Sequence, residues 1–102
     1  MIGGDFAPLS GETAKRVAHT FKALADPTRV RILPLLAQEE RSVTELAEAL
    51  ELSRSAVSHR LAFLRSLRLV RYRRQGKSLF YSCDDDRVLT LLVQGLAHLA
   101  HD

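Results

Sequence analysis

Apolar residues recur at three- and four-residue spacing through most of the chain. Ala14, Val17, Ala18, Phe21 and Ala25 set the period of a first helix that Ser10 can cap and that runs to about Ala25. Asp26-Pro27 is a second start signal, a cap residue followed by proline at the first helical position. The helix it opens carries Val30, Ile32, Leu33 and Leu36. Pro34 lies inside it, removing a backbone donor and crowding the preceding turn, so this helix is expected to be kinked or short. Ser42-Val43-Thr44-Glu45 fits a capping box, and Val43, Leu46, Ala47 and Leu50 form the buried stripe of a short third helix. Glu51-Leu52 is a tight connection, and Ser53 caps a fourth helix from Arg54 to about Leu67. Two short helices joined by so few residues read as a helix-turn-helix.

The pattern then changes. Leu69 to Arg74 and Lys77 to Cys83 have strand-like composition, with Gln75-Gly76 between them as the expected two-residue hairpin turn. A hairpin placed directly after a helix-turn-helix is a wing. Asp84-Asp85-Asp86 suits the positive dipole end of a last helix running to about His101. Its apolar residues Val88, Leu89, Leu92, Val93, Leu96 and Leu99 exceed what one core face needs and point to a dimer seam. The expected fold is mainly α with a small β-hairpin: a winged helix-turn-helix of five helices plus a wing. It forms one domain over residues 1–102, with the wing at about 69–83 and a dimerisation and effector helix at about 85–101.

Length and composition bound this reading without changing it. A chain of 102 residues, 46% hydrophobic and 26% charged, suits one globular domain with a modest core that a partner subunit would help. No apolar run approaches a membrane span, and residues 1–9 lack the features of a secretory signal. One cysteine, Cys83, excludes an internal disulfide and an all-cysteine metal cluster, so the expected setting is reduced and cytoplasmic.

The charge distribution adds more. Residues 1–51 hold six bases against eight acids, residues 52–83 hold eight bases and no acid, and residues 84–102 hold one base against four acids. A carboxylate-free block of that length suits a polyanion-binding face; a solvated basic face with no ligand is the alternative. On a helical wheel of the fourth helix, Val57, Leu61 and Leu64 share one face, and Ser55, Ser58, His59 and Ala62 lie opposite, with Arg54 at the N-terminal edge. Small and hydrogen-bonding groups make a workable surface for the major groove of double-stranded DNA. Arg54 and His59 are the candidate base readers, while Ser55, Ser58 and Ala62 allow close approach. Arg73, Arg74 and Lys77, with Gln75 at the turn, are the candidate wing contacts, the cations holding phosphates rather than choosing sequence.

Three segments carry a resemblance to a known family: "FKALADPTRVRIL" (Phe21 to Leu33), "SVTELAEALELSRSAVSHRLAFLRSLRLV" (Ser42 to Val70) and "RRQGKSLFYS" (Arg73 to Ser82). Together they resemble the ArsR/SmtB family of bacterial winged-helix repressors, from about Ala14 to His101. The resemblance implies a homodimer through the terminal helices, bound to an imperfect palindrome, that represses transcription and releases DNA when an effector, often a metal ion, binds. It also assigns base reading to Arg54, Ser55, Ser58 and His59.

The family's cysteine-based sensing site is absent, since "RSVTELAEAL" contains no cysteine. The family's other common site lies on the last helix, and the resemblance places three ligands there: Asp85, His98 and His101. A fourth position holds Arg87, which cannot ligate a metal. Asp85 and His98 stand 13 residues apart, about 20 Å along a helix, so only two antiparallel copies of that helix could join them. Zinc, nickel and cobalt all suit such donors. Cys83 is a candidate fourth ligand, although a small residue ending a strand is more often inert, and His19 reads as a helix-surface residue. The alternatives are a regulator of the same family with no metal control, and a winged-helix module that binds proteins. An enzyme is not expected. There is no glycine-rich phosphate loop, and Ser53, Ser55 and Ser58 near His59 lack an orienting acid.

Overall fold

A computed structural model describes residues 7–100. Side chains start most of its helices. Ser10 accepts from the Thr13 amide at 3.1 Å to open α1 (Gly11–Ala23), and Asp26 accepts from the Arg29 amide at 2.9 Å to open α2 (Pro27–Gln38). The expected capping box opens α3 (Val43–Leu50): Ser42 Oγ accepts from the Glu45 amide at 3.1 Å, and Glu45 accepts from the Ser42 amide at 2.8 Å. Ser53 caps α4 (Arg54–Ser66), accepting from the Ala56 amide at 3.0 Å. Between α3 and α4, Glu51 turns left-handed at φ +56°, and the Leu52 amide donates to the Ala47 carbonyl at 3.0 Å. That closure ends α3 and sets the angle of the helix-turn-helix.

Four boundaries differ from expectation. α2 runs unbroken through Pro34 for 12 residues instead of ending short. The proline withholds one amide from the ladder, while Ile32, Leu33 and Leu36 bury that helix in the core. α1 ends at Ala23, two residues early. The hairpin turn is Gly76-Lys77, one residue later than expected, because Gln75 pairs with Ser78 and closes the ladder. Gly76 supplies the left-handed φ of +63°. The third strand was not foreseen. β1 (Arg41–Ser42) pairs antiparallel with β3 (Ser78–Cys83), which pairs antiparallel with β2 (Val70–Gln75), giving the order β1-β3-β2.

The buried cluster draws Ile32, Leu33 and Leu36 from α2, Leu46, Ala47 and Leu50 from α3, and Val57, Leu61 and Leu64 from α4, closed by Leu69, Val70, Tyr81 and Val88. The apolar wheel face of α4 is therefore the core face. α1 adds only Ala23, leaving Val17 and Phe21 exposed. α1 is tied to α2 instead by Arg29, which donates to the carbonyls of Ala23 at 3.1 Å and Lys22 at 2.8 Å while its guanidinium stands 4.4 Å from the Phe63 ring centre. α5 (Arg87–Ala100) buries only Val88, and Val93, Leu96 and Leu99 are 59%, 56% and 72% exposed.

Candidate nucleic-acid interface

With Val57, Leu61 and Leu64 fixed inward, Ser55, Ser58, His59 and Ala62 face solvent. Helical geometry permits no other result once one face is packed. The N-terminus of α4 and the wing tip then meet across a cleft of about 520 Å³, lined by Arg54, Ser55, Ser58, Lys77 and Ser78, with Ser42, Val43 and Thr44 as its α3 side. Residues 23 positions apart in sequence, Arg54 and Lys77, thus border one concave polar surface. His59 is exposed farther along α4, outside the lining of that cleft.

The eight bases of the carboxylate-free block separate into two groups in space. Arg60 meets Asp26 at 3.5 Å, Arg71 meets Asp84 at 2.8 Å and Arg73 meets Glu40 at 2.6 Å. Each of these acids lies outside the block, so sequence runs could not reveal the pairing. Arg54, Arg65, Arg68, Arg74 and Lys77 form no ion pair among the described residues. Arg65 lies 4.2 Å from the Tyr72 ring centre, and Tyr72 packs at 5.5 Å against Tyr81, so this cation braces the hairpin on α4. Arg73, expected to hold phosphate, gives its guanidinium to Glu40 in the free chain, and that carboxylate raises the arginine's pKa above its ordinary value.

At the start of α5, Asp85 Oδ1 accepts from the Arg87 amide and from Arg87 Nε, both at 3.0 Å, and Oδ2 accepts from Nη2 at 3.2 Å. The Arg87 side-chain bonds, then the amide, hold the Asp85 carboxyl below its usual pKa. His98 lies exposed in the last turns of α5, and His101 is outside the described residues. One chain does not bring Asp85 and His98 together, and no three metal-ligating side chains converge among the described residues. Cys83 is half-buried, donates from Sγ to the Asp85 carbonyl at 3.6 Å, and has its thiol pKa pushed up chiefly by burial.

A helix-turn-helix whose reading helix and wing share one polar cleft defines the winged-helix class. Residues 26–72 match the bacterial regulatory protein family named for arsR. The chain is 46% identical over 91 residues to a transcriptional repressor SmtB homolog of Synechocystis, covering 89% of this chain and 69% of that protein. The AntR antimony-specific transcriptional repressor has a crystal structure matching at a TM-score of 0.84 and 35% identity, covering 94% of this chain and 87% of that one. The homodimeric winged helix-turn-helix DNA-binding domain Mb0332 of Mycobacterium bovis, solved by NMR, matches at a TM-score of 0.76 and 35% identity, covering 95% and 94%. This chain belongs to the ArsR family of bacterial regulatory proteins.

Proposed function

We propose that the chain is a sequence-specific transcriptional repressor, acting in the cytoplasm as a homodimer on an imperfect palindrome of double-stranded DNA. The observation that carries this is the shared cleft: Arg54, Ser55 and Ser58 of α4 lie across from Lys77 of the wing. Placed in a major groove, Arg54, Ser55, Ser58 and His59 read base edges while Arg74, Gln75 and Lys77 reach the flanking backbone. The exposed apolar residues of α5 and α1 pair two copies, which places two reading helices on one face of DNA. Among the described residues no helix is long and apolar enough to cross a membrane. Selection from a random duplex pool tests the reading. It should enrich a two-fold-symmetric site, and Arg54→Ala should weaken that site more than random DNA. Binding without any enriched sequence would refute it.

The effector we propose is a transition-metal ion, and a relative described as antimony-specific supports metal control in general. One carboxylate and two imidazoles are chemically suited to zinc, nickel or cobalt. Asp85 of one subunit with the partner's His98 and the partner's His101 would hold it, and it would supply a bridge between the two copies. Asp85 must first release Arg87. That clamp favours a second reading, the same repressor without metal control. Calorimetric titration with Zn²⁺, Ni²⁺ and Co²⁺ separates them: one ion per subunit, abolished by His98→Ala, supports the first, and no binding supports the second.

A further inference from the structure

Arg73 lies on the wing among the cations expected to meet DNA, yet each of its three guanidinium nitrogens already donates within the chain. Nε donates to the two oxygens of Glu40 at 3.0 and 2.8 Å, Nη2 to Glu40 Oε1 at 2.6 Å, and Nη1 to Gln75 Oε1 at 2.8 Å. The guanidinium rests 5.1 Å from the Phe80 ring centre. The contact spans the sheet. Arg73 on β2 is the register partner of Phe80 on β3, Phe80 is the partner of Ser42 on β1, and Glu40 immediately precedes β1.

We infer that Glu40 is a specificity-determining residue, which occupies Arg73 and withholds it from DNA phosphates. The planar fork of arginine matches a carboxylate with two bonds, and the ring beneath fixes its plane. A phosphate seeking Arg73 must displace a tethered anion and leave that anion facing the DNA. The wing therefore offers Arg74 and Lys77 to the backbone, and not Arg73. A phosphate contact strengthens binding to every sequence alike. Withholding one lowers the sequence-independent background and leaves the base edges to α4.

This rests on the DNA-binding reading above, and the test separates the two. Affinity of the full chain for a random-sequence duplex is measured by fluorescence anisotropy across a salt series. Glu40→Gln keeps the size of the side chain and removes its charge. Its log–log salt slope should steepen by about 0.9, with affinity for random DNA at 0.1 M salt rising roughly fivefold. The double variant Glu40→Gln with Arg73→Gln, which removes both charges of the pair, should keep the wild-type slope. An unchanged slope in Glu40→Gln, or weaker binding with that variant, would overturn the inference and leave the pair as a strut. A slope shallower by about one unit in the double variant would also overturn it, since Arg73 would then already hold a phosphate. Wild-type protein that does not bind DNA would overturn both readings, whereas wild-type binding with either contrary result overturns only this one.

Discussion

Truncating Leu96 separates what holds one chain together from what joins two. Leu96 sits on α5, is 56% exposed and packs little of itself in its own chain. Fully burying a leucine contributes about 1.5–3 kcal/mol, so covering the exposed half is worth about 1 kcal/mol. In a two-fold interface each residue appears twice, which makes the loss for Leu96→Ala about 2 kcal/mol per dimer, or roughly thirtyfold in the dimer constant. Alanine is the better helix former, so α5 itself should not weaken. Leu61→Ala is the contrast. Leu61 is fully buried, and its truncation should cost about 2–5 kcal/mol of folding stability. Sedimentation equilibrium reads the dimer constant, and thermal melting by circular dichroism, at a concentration where both variants are monomeric, reads the fold. A dimer constant within threefold of wild type would refute the seam. So would a melting temperature for Leu96→Ala depressed as far as that of Leu61→Ala.

On the wing, Lys77→Ala should lower affinity for all sequences and flatten the salt slope by about one unit, measured on specific and random duplexes; an unchanged slope would remove the tip from the interface. His59→Ala should reduce binding to the selected site more than to random DNA, and equal losses on both would take His59 off the base edges. Asp26 should contribute to stability as cap and ion-pair partner: Asp26→Ala should cost about 1 kcal/mol or somewhat more in urea titration, and Asp26→Asn, which keeps the cap, clearly less. The amide of Arg29 is the main cause that lowers the Asp26 pKa below 3.8, with the charges of Arg29 and Arg60 acting in the same direction. The sign follows from that direction. A depressed folded pKa means the ionised form stabilises the native state above the unfolded value, and that contribution is lost as pH falls through the folded one. Wild type and Asp26→Asn should therefore differ by a constant amount at neutral pH and converge in acid. A gap that does not narrow as the carboxyl protonates in acid would contradict the assignment.

The readable features were those set by neighbours in sequence. The caps at Ser10, Asp26, Ser42 and Ser53 act over three residues, and the wheel face of α4 follows from Val57, Leu61 and Leu64, so both could be placed without tertiary knowledge. What escaped depends on partners distant in sequence. β1 is only two residues long and exists because Tyr81 and Phe80 pair with it. Gln75 reads as a turn residue until Ser78 is seen opposite it. The carboxylate-free block was legible as a basic segment, but not its partial neutralisation by Asp26, Glu40 and Asp84. α1 shows the opposite case: its apolar spacing gave the helix correctly, yet Val17 and Phe21 stay outside the chain's own core. Periodicity reports that a face is apolar, not which chain covers it.

The same arrangement explains how the seam and the wing are joined. α5 touches the core through Val88, and its connection to the hairpin is short and well bonded: the Asp84 amide donates to the Leu69 carbonyl at 2.8 Å, and the Asp84 carboxylate accepts from Arg71 on β2 at 2.8 Å. Asp85 then holds Arg87 at the first turn of α5. Within three residues, therefore, the chain passes from a strand of the wing to the helix that carries the exposed apolar face. A displacement of α5 against a partner reaches β2 through Asp84, and it also reaches α2, against which α5 packs. α4 is held by three fully buried residues and by Arg60 on Asp26 at the head of α2. The proposed base-reading surface is therefore set by the core itself, while the proposed wing contacts lie on strands that Asp84 ties directly to the start of α5.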